Sequence, residues 1–246
     1  MLGFLRSRRV VKQPRLPDGI RIYALGDIHG RADLLKEMLT VIDVDIARNP
    51  AHRTIEVYLG DYIDRGPYSA HTLDLLIERG RQRETVFLRG NHEAYFLEVL
   101  RDSAKLEDWW QFGGLQTLTS YGIQPSINPD ATEQNDLISA LLEVIPRRHL
   151  EFLEALKPSF LCGDFFFVHA GVRPGIPLKE QRESDLLWIR NEFLDSDENF
   201  GKYIVHGHTP VREPDIRPNR INIDTGAYAT GNLTLLTIQG SSMLAV

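Results

Sequence analysis

The sequence predicts an α/β fold in one domain, and three observations predict it. Short β-branched and aromatic runs ending in glycine alternate with amphipathic segments through the first hundred residues. The stretch around 101–160 holds helix-like segments and reads as a helical insertion between strands. Beyond it, strands return with turn-rich connections and little helix. Such alternation builds a sheet with helices on its faces, and 246 residues suffice for one well-buried core.

Taken in order, IRIYALG (20–26) is a strand, followed by a helix carrying Leu34, Leu35, Met38, Leu39 and Ile42 at helical spacing. TIEVYLG (54–60) leads to a helix near 69–79, and TVFLRG (85–90) to one beginning near His92. The insertion holds helical segments around Trp109–Tyr121 and Asn135–Val144, and a third opened by Pro146 and ended by Pro158. DFFFVHA (164–170), KYIVHGH (202–208), RINIDTG (220–226) and NLTLLTIQG (232–240) complete the strands. Arg6, Arg8, Arg9, Lys12 and Arg15, with no acid among them, mark residues 1–18 as a basic, flexible tail before a domain at 19–246.

Composition excludes several classes. Hydrophobic residues at 42% and charged residues at 25% rule out a disordered chain or a collagen-like repeat. With 34 acidic against 28 basic residues the net charge is -6, so nucleic acid is not an expected partner. No apolar run approaches the ~18 residues that cross a bilayer, and no stable membrane association is expected. A single cysteine, Cys162, suits a reducing, cytoplasmic setting and leaves any metal to oxygen and imidazole ligands.

The chemistry sits where the strands end. The clusters are Gly26-Asp27-Ile28-His29-Gly30, Gly60-Asp61-Tyr62-Ile63-Asp64-Arg65-Gly66, Gly90-Asn91-His92-Glu93, His169-Ala170-Gly171 and His206-Gly207-His208-Thr209-Pro210, and five of the eight histidines fall within them. Loops beyond the carboxyl ends of strands in α/β sheets are where ligand sites assemble, so the clusters should converge on one edge. Carboxylate and amide oxygens mixed with imidazoles suit first-row divalent metals. Asp27, His29, Asp61, Asn91, His169 and His208 are too many for one tetrahedral ion, which points to two, with Asp61 as the carboxylate that bridges them.

The motifs GDIHG, GDYIDRG and GNHE, followed by HAG, LLWIR, HGHTP and IDTGAYATGNLTLL, resemble those of the phosphoprotein phosphatase branch of the calcineurin-like metallophosphoesterases, nearest the compact bacterial and phage Ser/Thr protein phosphatases. The resemblance covers roughly residues 19–240 and implies a metallophosphoesterase-type β-sandwich flanked by helices. It implies that Asp27 and His29 hold one metal, that Asp61 bridges, and that Asn91, His169 and His208 hold the second. His92 matches the proton-donating histidine with Asp64 its partner, and Arg65 and Arg190 match the phosphate-binding arginines. Pro210, where many phosphodiesterase relatives carry a further histidine, favours the phosphatase branch. The implied activity is hydrolysis of phosphorylated protein or a small phosphoester by metal-bound hydroxide, with Mn²⁺ the preferred ion and Fe, Zn or Ni alternatives. The nearest rival is a symmetrical diadenosine tetraphosphate hydrolase. A noncatalytic scaffold could dispense with Asp64, Arg65, His92 and Arg190, all of which are present.

The physics agrees with that reading. Two divalent cations against Asp27 and Asp61 leave a positive centre for a phosphate dianion, an imidazolium can protonate a departing alkoxide, and guanidinium forks fit phosphoryl oxygens. Singly, Asp27 or Asp61 could cap a helix, Asn91 could shape a turn and Arg65 could pair with a surface acid. His52, His71 and His149 read as surface residues, Glu93 as a carboxylate favoured by a helix start, and His206 as a neighbour of the ligands. Trp109, Trp110 and Phe112 read as a small core for the insertion, with a substrate groove the alternative. Tyr228 either reaches the site or packs.

Overall fold

A computed structural model describes residues 13–126 and 130–246. Two five-stranded sheets form the centre. In the first, β1 (Ile20–Leu25), β2 (Arg53–Tyr58) and β3 (Thr85–Phe87) run parallel, and β9 (Leu235–Gln239) and β10 (Ser242–Ala245) continue it antiparallel beyond β1. The second has the order β4 (Ser159–Cys162), β5 (Phe165–Val168), β6 (Tyr203–His206), β8 (Arg220–Asn222), β7 (Asp215–Ile216), with β5, β6 and β8 parallel. The sandwich implied by the sequence is therefore present. The tiny strands β7 and β10, and β4 within the end of the helical stretch, lay below what its patterning reveals.

Period-two alternation sorts the layers. Ile22 and Ala24 of β1 join Ile55, Val57, Phe165, Phe167, Val205 and Ile221 in the buried cluster shared by both sheets. Tyr23 and Leu25 point the other way, onto helices α1 (Ala32–Arg48) and α2 (Ser69–Gln82). On the far face of the second sheet, Phe166, Val168 and Ile204 meet α8 (Glu183–Trp188) and α9 (Asn191–Leu194). Full burial of each such aliphatic or aromatic side chain contributes about 1.5–3 kcal/mol.

After α3 (Asn91–Val99), the insertion forms α4 (Leu106–Gln111), α5 (Gly114–Ser120), α6 (Ala131–Val144) and α7 (Arg147–Glu154). It belongs to the cluster under the first sheet, through Leu106, Trp109, Leu118, Leu141 and Leu153. Of the expected tail, Arg6, Arg8, Arg9 and Lys12 lie outside the described residues. Its last residues are held: Leu16 is buried and donates its N–H to the Gly240 carbonyl, and the Arg15 carbonyl accepts from Asp164. The apolar side chain of Leu16, in the sandwich interior, explains the difference from a frayed tail.

Candidate active site

Parallel strands that point the same way deliver their carboxyl ends to a shared edge, and each cluster read from the sequence lies at one. Asp27 and His29 follow β1, Asp61 to Arg65 follow β2, Asn91 and His92 open α3 just after β3, His169 follows β5, and His208 follows β6. Among the described residues, five other than glycine have positive φ: His29, Asp61, Asp64, Arg65 and His208. All five belong to this edge. Such left-handed backbone costs about 1–2 kcal/mol per residue, so surrounding contacts must impose it.

Asp61 lies between two sets of imidazoles. One oxygen is 3.5 Å from His29 Nε2 and 3.9 Å from His92 Nε2; the other is 3.4 Å from His169 Nε2. Donor atoms of His29, Asp61 and His92 lie within 4.8 Å of one another, as do those of Asp61, His169 and His208. Asn91 Oδ1 completes the second set, 2.8 Å from His169 Nε2 and 2.9 Å from His208 Nδ1. Asp27 stands outside both three-residue groups, its carboxylate accepting the His208 N–H. Gly207 makes that approach possible: a Cβ there would sit 2.1 Å from Asp27 Oδ1.

The donor set fits divalent cations. His29 Nδ1 is 3.0 Å from the Ile63 carbonyl and His169 Nδ1 is 2.9 Å from that of Leu59, so each ring donates there and aims an unprotonated Nε2 at Asp61. Lone pairs of His169 Nε2, Asn91 Oδ1 and an Asp61 oxygen thus converge with no hydrogen between them, an arrangement a cation relieves. His208 turns Nδ1 to this group, and its Nε2 is buried with no partner among the described residues. Burial lowers the His29 and His169 pKa values and takes His208 down to about 2, keeping these rings neutral as ligands must be. Burial pushes Asp61 up, but His169, His92, His29 and His208 together pull it below the carboxylate range. Burial, Asp224 and Asp61 raise Asp27. That is uncompensated acid beside the imidazoles, which bound cations would neutralise.

His92 has a different setting. Its Nδ1 is 2.7 Å from Asp64 Oδ2, and its Nε2 faces the site 3.2 Å from Arg65 Nη2. Burial opposes its charge, yet Asp61 and the bonded Asp64 raise its pKa above that of ordinary imidazole, as a proton donor near neutral pH requires. Arg65 lies over the Tyr228 ring, 4.8 Å from its centre, and no carboxylate pairs with it among the described residues. Tyr228 reaches the site, edge-on to His29 at 5.4 Å. Arg190 stands between α8 and α9 rather than on a helix, exposed, with Nη1 3.2 Å from Thr209 Oγ1.

Several residues differ from their sequence readings. His149 is buried, joined to Tyr121 and Asp74, because α7 packs on α2; His52 and His71 are exposed as expected. Glu93 does more than favour a helix start: its carboxylate accepts the N–H groups of Gly90, Asp61, Tyr62 and Ile63, tying the Asp61 turn to α3. Trp109 is core, but its Nε1 also donates to Asp64. Phe112 is exposed, 6.3 Å from both His92 and Trp188. His206 packs on Phe193 beside Arg220, away from the converging donors. Thr117 and Asp224 were missed. The Asp in IDTG was a visible signal, and burial raises its carboxyl to about 6; nothing local distinguishes Thr117.

An α/β sandwich with imidazole and carboxylate donors gathered around one aspartate at its strand ends defines a class, the metal-dependent phosphoester hydrolases. The sequence profile of the calcineurin-like phosphoesterases matches residues 20–234, and the chain belongs to that family. It is 25% identical over 233 residues to a relative from Oceanobacillus iheyensis named bis(5'-nucleosyl)-tetraphosphatase PrpE [asymmetrical], covering 87% of each chain. It is 27% identical over 242 residues to serine/threonine-protein phosphatase 1 of Salmonella typhimurium, covering 96% of this chain and 100% of that one. Among solved structures, the cold-active protein-tyrosine phosphatase of a psychrophilic Shewanella species shares the fold with a TM-score of 0.56 at 16% identity, over 94% of this chain and 80% of that one. Among the described residues, no helix is long and apolar enough to cross a membrane.

Proposed function

We propose that this edge hydrolyses phosphoesters with two divalent cations, Mn²⁺ foremost, and that a phosphomonoester on a protein is the substrate. Asp27, His29 and Asp61 would hold one ion, and Asp61, Asn91, His169 and His208 the other. One observation carries this reading: the two oxygens of Asp61 face opposite histidine sets. When bound, a cation pair lowers the pKa of water from 15.7 towards about 7 and offsets phosphoryl charge. The protein's own groups do the rest. Asp64 keeps the proton on His92 Nδ1 and leaves Nε2 facing the site, where it protonates the departing oxygen. Arg65 and Arg190, without carboxylate partners among the described residues, hold phosphoryl oxygens with their forks.

The full-length alignment with the Salmonella phosphatase supports the phosphoprotein substrate. A second reading, a dinucleoside polyphosphate, is favoured by the PrpE relatives, which carry the asymmetrical name rather than the symmetrical one expected of the rival. Parallel assays of a phosphoserine peptide and diadenosine tetraphosphate separate the two. Chelation should abolish turnover and Mn²⁺ should restore it better than Ca²⁺, since imidazole ligands disfavour calcium. Full activity after chelation refutes the two-cation reading; turnover of the tetraphosphate alone transfers the proposal to the second substrate.

A further inference from the structure

The helical insertion grips the carboxylate behind His92. Asp64 is fully buried, and among the described residues no cationic side chain bonds to it apart from His92 when protonated. Its Oδ2 accepts from Trp109 Nε1 at 2.9 Å as well as from His92 Nδ1 at 2.7 Å, and its Oδ1 accepts from Thr117 Oγ1 at 2.6 Å. Thr117 Oγ1 also accepts the Asp64 N–H at 2.9 Å. Because the single hydroxyl proton of Thr117 goes to Oδ1, the Ser69 hydroxyl, 2.9 Å away, must donate to Thr117. Donor directions are thereby fixed around the whole carboxylate.

The same two short helices shape the neighbouring residue. Arg65 donates its N–H to the Gly113 carbonyl at 3.0 Å, in the link between α4 and α5. Gly114 then lets α5 close on Trp109, since a Cβ there would sit 2.2 Å from the indole. Asp64 and Arg65 are consecutive left-handed residues, with φ of 69° and 66°. The insertion supplies the bonds that keep that turn in place.

We propose that Trp109 and Thr117 are positioning residues for proton donation, locking the Asp64 carboxylate so that the His92 ring holds its Nε2 toward the substrate oxygen. This rests on the reading of Asp64 and His92 as the proton-donating pair. Without either donor the carboxylate can turn about its Cβ–Cγ bond, and His92 loses the bond that sets its ring. Among the described residues the Asp64 carboxylate bonds to none of the proposed cation ligands, so such a rotation leaves them in place.

The test uses full-length, Mn²⁺-loaded protein and two substrates. p-Nitrophenyl phosphate releases a stable phenolate that needs little protonation; β-glycerophosphate releases a basic alkoxide that needs it. Thr117→Val, nearly isosteric, should lower kcat on β-glycerophosphate about 10- to 100-fold, the range typical when a hydrogen-bonded support of a site residue is removed. It should lower kcat on p-nitrophenyl phosphate far less and leave KM and metal content unchanged. Thr117→Ser should restore activity, and Trp109→Phe should repeat the ordering; if that variant fails to fold, Thr117→Val decides. Equal losses on both substrates, or loss of metal, would mean that the contacts only stabilise the fold. His92→Asn separates the two levels. If it discriminates between substrates and the Thr117 and Trp109 variants do not, the positioning role is overturned while the pair stands. If His92→Asn itself shows no discrimination, the pair is wrong and the positioning role falls with it.

Discussion

Replacing Glu93 with glutamine tests how the Asp61 turn is held. Glu93 Oε1 accepts from Tyr62 at 2.6 Å and Ile63 at 3.3 Å, and Oε2 from Asp61 at 2.9 Å and Gly90 at 3.0 Å. Burial and the neighbouring Asp61 push this carboxyl above its usual range, while the four N–H groups favour the anion. Every oxygen direction already faces a donor, so a carboxyl proton has no acceptor, and neither has an amide NH₂. In Glu93→Gln the amide nitrogen must face two backbone N–H groups whichever way it turns. At about 1.5–3 kcal/mol for each bond to a charged acceptor, two lost bonds cost about 3–6 kcal/mol. For a chain of this size, ~2–4 °C per kcal/mol makes the expected fall in melting temperature roughly 6–24 °C. Bound metal should fall as well, because Asp61, at φ 52°, is held in its strained turn by one of those bonds. Calorimetry with metal analysis measures both. A melting temperature within ~3 °C of wild type, with metal content unchanged, would refute the idea that Glu93 organises the turn.

Two further predictions concern the buried framework. Gly114→Ala should destabilise by about 1–3 kcal/mol, the range for overpacking, because its Cβ would overlap the Trp109 ring; denaturant unfolding measures this, and a neutral result would show that the close approach of α5 is not required. His206, lowered to about 3 by burial and Arg220, stays neutral in the folded chain while the unfolded chain binds a proton below about 6.5. Its contribution is complete above that pH and is lost as pH falls, about 2 kcal/mol between pH 7 and 5. His206→Asn should therefore flatten the acid limb of stability in metal-supplemented protein; parallel limbs for variant and wild type would count against it.

Much of the site was legible because its backbone demands left unusual residues in unusual places. Acids, imidazoles and an amide at the ends of apolar strands announced an edge before any coordinates, and Asp27, His29, Asp61, Asn91, His169 and His208 all lie there. The apolar, β-branched runs announced β1, β2 and β3 because strand preference is local, whereas their parallel pairing is a property of the folded sheet. Strands as short as β7, with two residues, exist only because β8 offers them a partner, and no local pattern could reveal that.

Contacts between residues far apart in the chain arise only when it folds. The grip of Thr117 and Trp109 on Asp64 spans 53 and 45 positions, and the tie of Glu93 to Asp61 spans 32. Trp109, Glu93 and His149 carry side chains that suit a core, a helix start or a surface equally well, so their types constrain little. Their roles come from packing: α4 and α5 closing over the turn after β2, α3 meeting that turn, and α7 covering α2. Local residue chemistry is enough to say what gathers at the edge; the packing of the insertion and of α3 sets how its carboxylate and turn are held.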